Sequence, residues 1–277
     1  MLDRLINYAF LLLLIFLFVL SAGSPERYQI IIALLAALLF SFAVFILNWL
    51  TLDGAMAASV FGGIAFGLGG WTVAGLILLF FITSTLLSVN SIVVIEATAQ
   101  AFSERKRRDG IQVWANGFWV AVCVICWFVF KADLFLFGAA GAIATATADT
   151  WATEMGSNRF GGSTFLITNL KRVKAGTDGG ISLQGTVAAL LGSLMIAAAS
   201  ILFFSITWGV ALLAVFLPGF LGNIADSYLG ATFQQVRKDS DTNESPFQMR
   251  IDNNFVNWAA TGIGSLTAVI INVLLLL

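Results

Sequence analysis

The chain is predicted to be an all-α, polytopic helical membrane protein of eight or nine spans, and three observations carry that prediction. Of its 277 residues, 59% are hydrophobic and only 10% are charged, and the mean hydropathy is +0.95, far outside the range of soluble domains. The apolar residues fall in runs of about 15 to 25, the length a helix needs to cross a hydrocarbon core about 30 Å thick. The ten-residue alternation of a membrane barrel is absent.

The first run, from Leu5 to Ser21, follows Arg4 and precedes Ser21-Ala22-Gly23-Ser24, so it resembles a signal peptide. Its apolar stretch is long for one and more spans follow, so it is expected to be retained as the first span. The second runs from Ile30 to Trp49. The third, from Ala55 to Leu68, is short and rich in glycine, and either crosses or re-enters, which leaves the count at eight or nine. The fourth runs from Trp71 to Ile95 and the fifth from Ile111 to Phe130. Cys123 and Cys126, inside the fifth, read as packing residues and not as a redox pair. The sixth covers Leu134 to Trp151, the seventh Ile181 to Ile206, the eighth Trp208 to Leu229 and the ninth Phe255 to Leu277. Residues 1–277 form a single membrane domain with long loops at 96–110, 155–180 and 230–254.

Basic residues orient the chain. Arg105, Lys106, Arg107, Arg108, Arg159, Lys171, Arg172, Lys174, Arg237, Lys238 and Arg250 fall on one side, joined by Arg4 if there are nine spans. Arg27 and Lys131 stay on the other. The three long loops are therefore expected in the cytoplasm or stroma. The sequence contains no histidine, which excludes His-dependent metal sites, triads and proton shuttles.

Two acids stand inside apolar runs in nearly the same phrase, Ala148-Asp149-Thr150-Trp151 and Ala225-Asp226-Ser227-Tyr228. A carboxylate at the centre of a bilayer costs roughly 2.5 to 3.5 kcal/mol, so two in matching settings point to a shared task. Asp149 lies about 22 Å into its span and Asp226 about 27 Å into its own, at 1.5 Å per residue, so both reach the same half of the membrane. Thr145 with Asp149, and Thr150 with Glu154, form two polar stripes on the sixth span. Asp226, Gly230 and Gln234 form one on the eighth, with a glycine that permits close approach. Carboxylate and hydroxyl oxygens on facing helices suit a hard cation such as Mg²⁺, completed by phosphates and water. Hydrogen bonding between helices is the plainer reading of the same residues.

Lys171-Arg172-Val173-Lys174-Ala175-Gly176-Thr177-Asp178-Gly179-Gly180 runs into the seventh span. Its glycines can curl backbone N–H groups into an anion nest at a helix start, with cations in reach of phosphate oxygens. The basic residues alone could equally serve topology, and Thr177-Asp178 could cap the helix. Arg107-Arg108-Asp109-Gly110 with Gln112 and Asn116, and Asn253, Asn254 and Asn257 at the start of the ninth span, add amides that need partners in an apolar setting. Asp53-Gly54 opens the third span much as Asp178-Gly179 opens the seventh, which hints at a degenerate internal duplication.

On these residues alone, a soluble phosphate donor reacting with a lipid held among the helices fits well, since phosphoryl transfer needs mainly positioning and charge neutralisation. An ion-coupled membrane transporter is the competing class, because buried acids and glycine-broken helices also serve carriers. The crowding of polar groups on one side argues against it. Nucleic acid is not an expected partner.

Thr147-Ala148-Asp149-Thr150-Trp151-Ala152-Thr153-Glu154, Gly176-Thr177-Asp178-Gly179-Gly180-Ile181-Ser182-Leu183-Gln184-Gly185-Thr186, Asp226-Ser227-Tyr228-Leu229-Gly230-Ala231-Thr232 and Asn253-Asn254-Phe255-Val256-Asn257 resemble a known membrane family. So do Leu50-Thr51-Leu52-Asp53-Gly54-Ala55 and Arg107-Arg108-Asp109. It is the family long called domain of unknown function ninety-two, which includes transmembrane protein nineteen and phytyl-phosphate kinases. The resemblance implies a kinase, dependent on CTP or another pyrimidine nucleotide, that converts a prenyl monophosphate such as phytyl phosphate to the diphosphate. A prenol kinase or a CTP-dependent lipid cytidylyltransferase is the alternative among lipid enzymes.

Carried onto this chain, the resemblance implies that Asp149, Glu154 and Asp226 are the catalytic carboxylates, with Asp149 and Asp226 on Mg²⁺. Lys171, Arg172, Lys174 and the turn of Gly176, Thr177, Asp178, Gly179 and Gly180 would hold phosphates. Arg108, Asn116, Asn254 and Asn257 would bind nucleotide or acceptor. Two phosphorylated substrates repel each other, and the many cations on the reactive side are expected to screen them.

Overall fold

A computed structural model describes residues 2–20, 25–95, 107–156, 162–234 and 251–276. Its helices are α1 (Leu2–Leu20), α2 (Pro25–Ile46), α3 (Leu52–Ile95), α4 (Gly110–Phe130), α5 (Leu134–Gly156), α6 (Leu183–Phe204), α7 (Trp208–Gln234) and α8 (Asn253–Leu276). Three short strands, β1 (Thr164–Leu166), β2 (Arg172–Val173) and β3 (Gly180–Ile181), lie between α5 and α6.

The third and fourth apolar runs are one 44-residue element that bends at Gly70, whose φ of 68° and ψ of −166° lie outside the helical region. A side chain would strain that backbone, so glycine takes the corner. The bend is a reversal. Asp53 near its start and Ser88 near its end reach the same end of the bundle, where Asp53 Oδ2 accepts from the Gly110 amide and Ser88 Oγ donates to Glu154. A straight helix would part those two residues by about 50 Å. Gln29, at the start of α2, donates to the Phe66 carbonyl at 3.1 Å, beside the bend and at the opposite end.

Among the described residues, seven helices are long and apolar enough to cross a membrane, with α3 counted once. The second limb of α3 and the interior helix α5 bring the crossings to nine. The glycine-rich third run therefore crosses. Helix α1 begins at the same end as α4: Asn7 Oδ1 accepts from Trp114 Nε1 at 2.6 Å, and Phe10 stacks on the Trp114 ring at 4.7 Å. Arg4, Arg107, Arg108, Lys171, Arg172 and Lys174 lie at this end, and Arg27 and Lys131 at the other. Arg105, Lys106, Arg159, Arg237, Lys238 and Arg250 are outside the described residues.

Helix α5 is the axis of the bundle. Every residue from Phe137 to Ala148 is buried, and most are alanine, glycine or threonine, so neighbouring backbones come close. A Cβ on Gly141 would lie 2.7 Å from the Gly264 carbonyl of α8, and one on Gly222 would overlap the Thr145 side chain. The threonine hydroxyls turn onto their own helix. Thr145 donates to Gly141 O at 2.9 Å, Thr147 to Ile143 O at 2.7 Å and Thr150 to Ala146 O at 2.8 Å, which satisfies each without a partner helix.

Two features depart from the sequence reading. The segment read as a loop over 155–180 carries an antiparallel sheet of order β2-β1-β3, with Thr164 opposite Val173 and Phe165 opposite both Arg172 and Ile181. Helix α7 is not uniform. It carries π turns at Leu212–Phe216, just before Pro218, and at Gly230–Gln234, so it runs past the expected end at Leu229. Parts of the loops at 96–110, 155–180 and 230–254 lie outside the described residues.

Candidate active site

One cavity of about 710 Å³ opens among the ends of α3, α4, α5, α7 and α8 and the strands. Its centre is set by α5 and α7. Asp149 and Asp226 face each other across these helices with their carboxyl groups in interaction range, close enough to share a proton or a cation. Helix α8 supplies the third group. Asp252 caps its start by accepting from the Phe255 amide at 3.0 Å, which brings Asn257 up one turn later. With its nitrogen turned to the carboxylate, Asn257 donates to Asp226 Oδ2 and to the Asn253 carbonyl, each at 3.1 Å.

Beside this pair lies an acid and base couple. Glu154, just over one turn beyond Asp149 on α5, accepts from Ser88 Oγ at 2.6 Å and lies within electrostatic reach of Arg108. Backbone pairing holds Arg108. Its amide donates to Trp49 O and its carbonyl accepts from Thr51 N, both at 3.1 Å. The next residues start α4 through a capping box, in which Asp109 accepts from the Gln112 amide at 2.9 Å and the Gln112 side chain accepts from Asp109 N. Asp53 secures the junction, bonded to Thr51 Oγ1 at 2.6 Å and to Gly110 N at 2.9 Å. Burial lowers the pKa of the Arg108 guanidinium and the Glu154 charge opposes that shift. Arginine remains a cation regardless.

The glycine turn forms one wall. Gly179, at φ +73°, sits so close to α7 that a Cβ there would overlap the Ala231 backbone, and Gly230 opens the matching space on the helix. Much of the turn's donor capacity is used internally. Thr177 N donates to Lys174 O at 3.2 Å and Gly180 N to Thr177 O at 2.8 Å. The turn leads into β3 before α6 begins at Leu183, capped by Ser182, so it is not itself the helix start.

The cavity gathers residues from distant parts of the sequence. Arg108, Asn116, Asp149, Glu154, Asp226, Asn254 and Asn257 line it, as do Gly176, Thr177, Asp178, Gly179 and Gly180. Lys171, Arg172 and Lys174 do not. They are exposed on the strand hairpin, with Arg172 in the β2 ladder. Of the cations expected to screen two phosphates, these three therefore lie away from the cavity. Among the described lining residues the charged ones are Arg108, Asp149, Glu154, Asp178 and Asp226, an acidic set. Thr145 is also outside the cavity, seated against Gly222 and Gly264, so only Asp149, Thr150 and Glu154 remain of the two stripes read on α5. The Asp226, Gly230 and Gln234 stripe lines the cavity complete. The parallel between Asp53-Gly54 and Asp178-Gly179 does not extend to structure, since the first opens a helix and the second lies in a turn before a strand.

Sequence reasoning passed over Thr85, Ser88 and Asn223. Each had a signal. Asn223 is three residues before Asp226 on one helix face, and Thr85 and Ser88 are hydroxyls in an apolar run.

The sequence over residues 35–274 matches the model of a family described as integral membrane protein DUF92. The chain belongs to that family. This DUF92 protein is 31% identical to an uncharacterized membrane protein of Methanocaldococcus jannaschii over 225 residues, 79% of this chain and 84% of that one. It is 32% identical to Protein VTE6, chloroplastic, of Arabidopsis thaliana over 138 residues, half of this chain and 38% of that one. It is 28% identical to Protein PGR of Arabidopsis thaliana over 272 residues, 86% and 93% of the two chains. No solved structure matches it. The DUF92 chain is thus a multi-pass integral membrane protein.

Proposed function

We propose that this DUF92 protein is a kinase that transfers the γ-phosphoryl group of CTP, or of another pyrimidine nucleotide, to a prenyl monophosphate such as phytyl phosphate. The Asp149–Asp226 pair carries the reading: two carboxyl groups from different helices, brought together inside a membrane bundle and lining a cavity large enough for two phosphorylated ligands. The match to VTE6 and the resemblance to phytyl-phosphate kinases support the choice of acceptor.

In the transfer, an oxygen of the acceptor phosphate forms a bond to Pγ while the bond from Pγ to the β,γ-bridging oxygen breaks. The nucleoside diphosphate leaves with that electron pair. The acceptor is already an anion, so no strong general base is required. What the protein must supply is alignment and charge balance. Arg108, held by its backbone pairing and by Glu154, would reach phosphate oxygens. Asn254 and Asn116 would orient nucleotide or acceptor, and Asn257 would aim the Asp226 carboxylate.

The donor set fits Mg²⁺. Two carboxylates in contact need a proton or a cation between them, and Mg²⁺ binds through one or two carboxylates completed by substrate phosphates. Among the described residues no cluster of three His, Cys, Asp or Glu forms a self-sufficient metal cage, consistent with a cation that arrives with nucleotide. Asp149 and Asp226 would hold it, and it would supply positive charge between the two substrates. An acidic cavity with Arg108 as its one described lining cation needs that charge.

The end of the bundle that holds the cavity, rich in basic residues, is read as facing cytoplasm or stroma, where CTP is available. A carrier site would instead lie near the midplane between inverted halves. Product analysis tests the reading. Purified protein with CTP, Mg²⁺ and phytyl phosphate is expected to give phytyl diphosphate and CDP. Monophosphate from phytol would indicate a prenol kinase, a CDP-lipid with pyrophosphate a cytidylyltransferase, and ion flux into proteoliposomes without nucleotide a transporter.

A further inference from the structure

The cavity is layered along the membrane normal, and α7 shows the layers. Gly230 packs on the Gly179 turn at the aqueous end, Asp226 meets Asp149 one turn further in, and Gly222 seats on Thr145 another turn in. Asn223 belongs to that innermost layer. Its side chain lines the cavity, is only 7% exposed, and makes no hydrogen bond to the other described residues. Thr85 is the counterpart on α3, one turn inward of Ser88, 6% exposed, lining the same cavity and likewise without a side-chain hydrogen bond to the other described residues. Asn116 on α4 is one turn inward of Gln112, and among the described residues its side chain makes only a long 3.4 Å contact, from its amide nitrogen to the Gln112 carbonyl. Three polar, uncharged side chains from separate helices thus line the same cavity with little or no hydrogen bonding to the other described residues, which leaves their donors and acceptors open to a ligand held there.

We propose that Asn223, Thr85 and Asn116 form a distinct subsite, inward of the carboxyl pair, that binds the phosphate head of a single-chain isoprenoid lipid. This rests on the kinase reading and divides its cavity in two. An amphiphile held in the bilayer arrives from the apolar side and places its head where the helices first become polar. The nucleotide arrives from water and meets Gly179, Gly230 and Asn254 at the outer wall. Asn223 Nδ2 and Thr85 Oγ1 donate to phosphate oxygens, and the carboxyl pair lies between the two ligands, where charge must be bridged. Uncharged donors suit this inner layer, because a second arginine there would carry a large desolvation cost when the lipid left.

The test is direct binding of phytyl monophosphate and of CTP with Mg²⁺, measured separately on the full chain in nanodiscs. Asn223→Ala is expected to weaken phytyl monophosphate on the order of tenfold or more, the scale of a lost bond to a charged group, while CTP affinity stays within about twofold. Thr85→Val, which keeps the side-chain shape, should act in the same direction and serves if Asn223→Ala fails to fold. Wild-type affinity for phytyl monophosphate in a folded variant, or equal losses for lipid and CTP, overturns the subsite. If wild-type protein binds phytyl monophosphate in the Asn223-dependent way yet transfers no phosphate, the subsite stands and the kinase reading falls. If transfer is normal in Asn223→Ala with unchanged KM for the lipid, the kinase stands and the subsite falls. Failure of the wild type to bind phytyl monophosphate removes both.

Discussion

Asp149 and Asp226, 77 positions apart in sequence and on different helices, bring their carboxyl groups together, and Asn257 from a third helix, with its nitrogen turned to the carboxylate, donates to the second of them at 3.1 Å. Helices α5, α7 and α8 are thereby joined by polar groups at one level of the bundle. Such a join is expensive to leave unmade in a bundle interior.

Replacing either acid by asparagine keeps the shape and a hydrogen bond but removes a charge. Asp149→Asn and Asp226→Asn are each expected to lower phosphoryl transfer by about 100-fold or more if both ligate one cation, while membrane insertion is retained. The double variant should be no worse than the poorer single one, as residues that act as a unit do. Transfer of labelled γ-phosphate to phytyl phosphate measures this, and wild-type rates in both single variants would sink the shared cation site.

The basic residues separate into two groups with different fates. Arg108→Met should raise the KM for CTP or lower kcat by roughly 10²-fold or more, the range for losing a placed phosphate donor. The triple change Lys171→Gln, Arg172→Gln, Lys174→Gln should leave kcat/KM within about threefold, because exposed charges away from the cavity act only through a screened field. A triple variant as damaged as Arg108→Met would place the hairpin cations on substrate after all.

Two glycines of the same turn make a paired test. Both have positive φ, so alanine is strained at each, by about 1 to 2 kcal/mol. Gly176 has open space around its missing side chain, whereas a Cβ on Gly179 would overlap the Ala231 backbone. Gly179→Ala should therefore lower the Tm well beyond Gly176→Ala and cut activity by displacing the cavity wall. Similar melting temperatures for the two would mean that the turn does not seat on α7.

Nine crossings put the two ends of α4 on opposite membrane faces. In a background with Cys123→Ala and Cys126→Ala, Lys174→Cys and Lys131→Cys should react with an impermeant maleimide from opposite sides of sealed vesicles. Labelling of both from one side contradicts the crossing pattern.

Much of the site was legible because polar residues in apolar runs are costly and therefore informative: Asp149, Asp226, Asn116, Asn254 and Asn257 announce themselves that way, and all line one cavity. The helix count was nearly legible, and the reversal at Gly70 was the missing piece, since periodicity says nothing about where a continuous helix turns back. The basic phrase misled because charge in sequence gives no direction. Lys171, Arg172 and Lys174 are neighbours of the glycine turn along the chain, but a short strand carries them away from the cavity. Asn223 was missed for the opposite reason, as a single amide among apolar residues whose importance depends on a partner that α7 does not provide.

Helix α5 is not among the seven described helices that are apolar enough to be recognised as spans on their own. Its interior offers small methyl groups and threonines, and near its end it carries Asp149. During biogenesis such a segment gains little from lipid and much from glycine-lined grooves on α6, α7 and α8, which are synthesised after it. Its stable integration must therefore wait for those later helices. The Asp149 carboxylate is committed to the bilayer only when the helix bearing its partner, Asp226, arrives, so assembly of the bundle and assembly of the acid pair are one event.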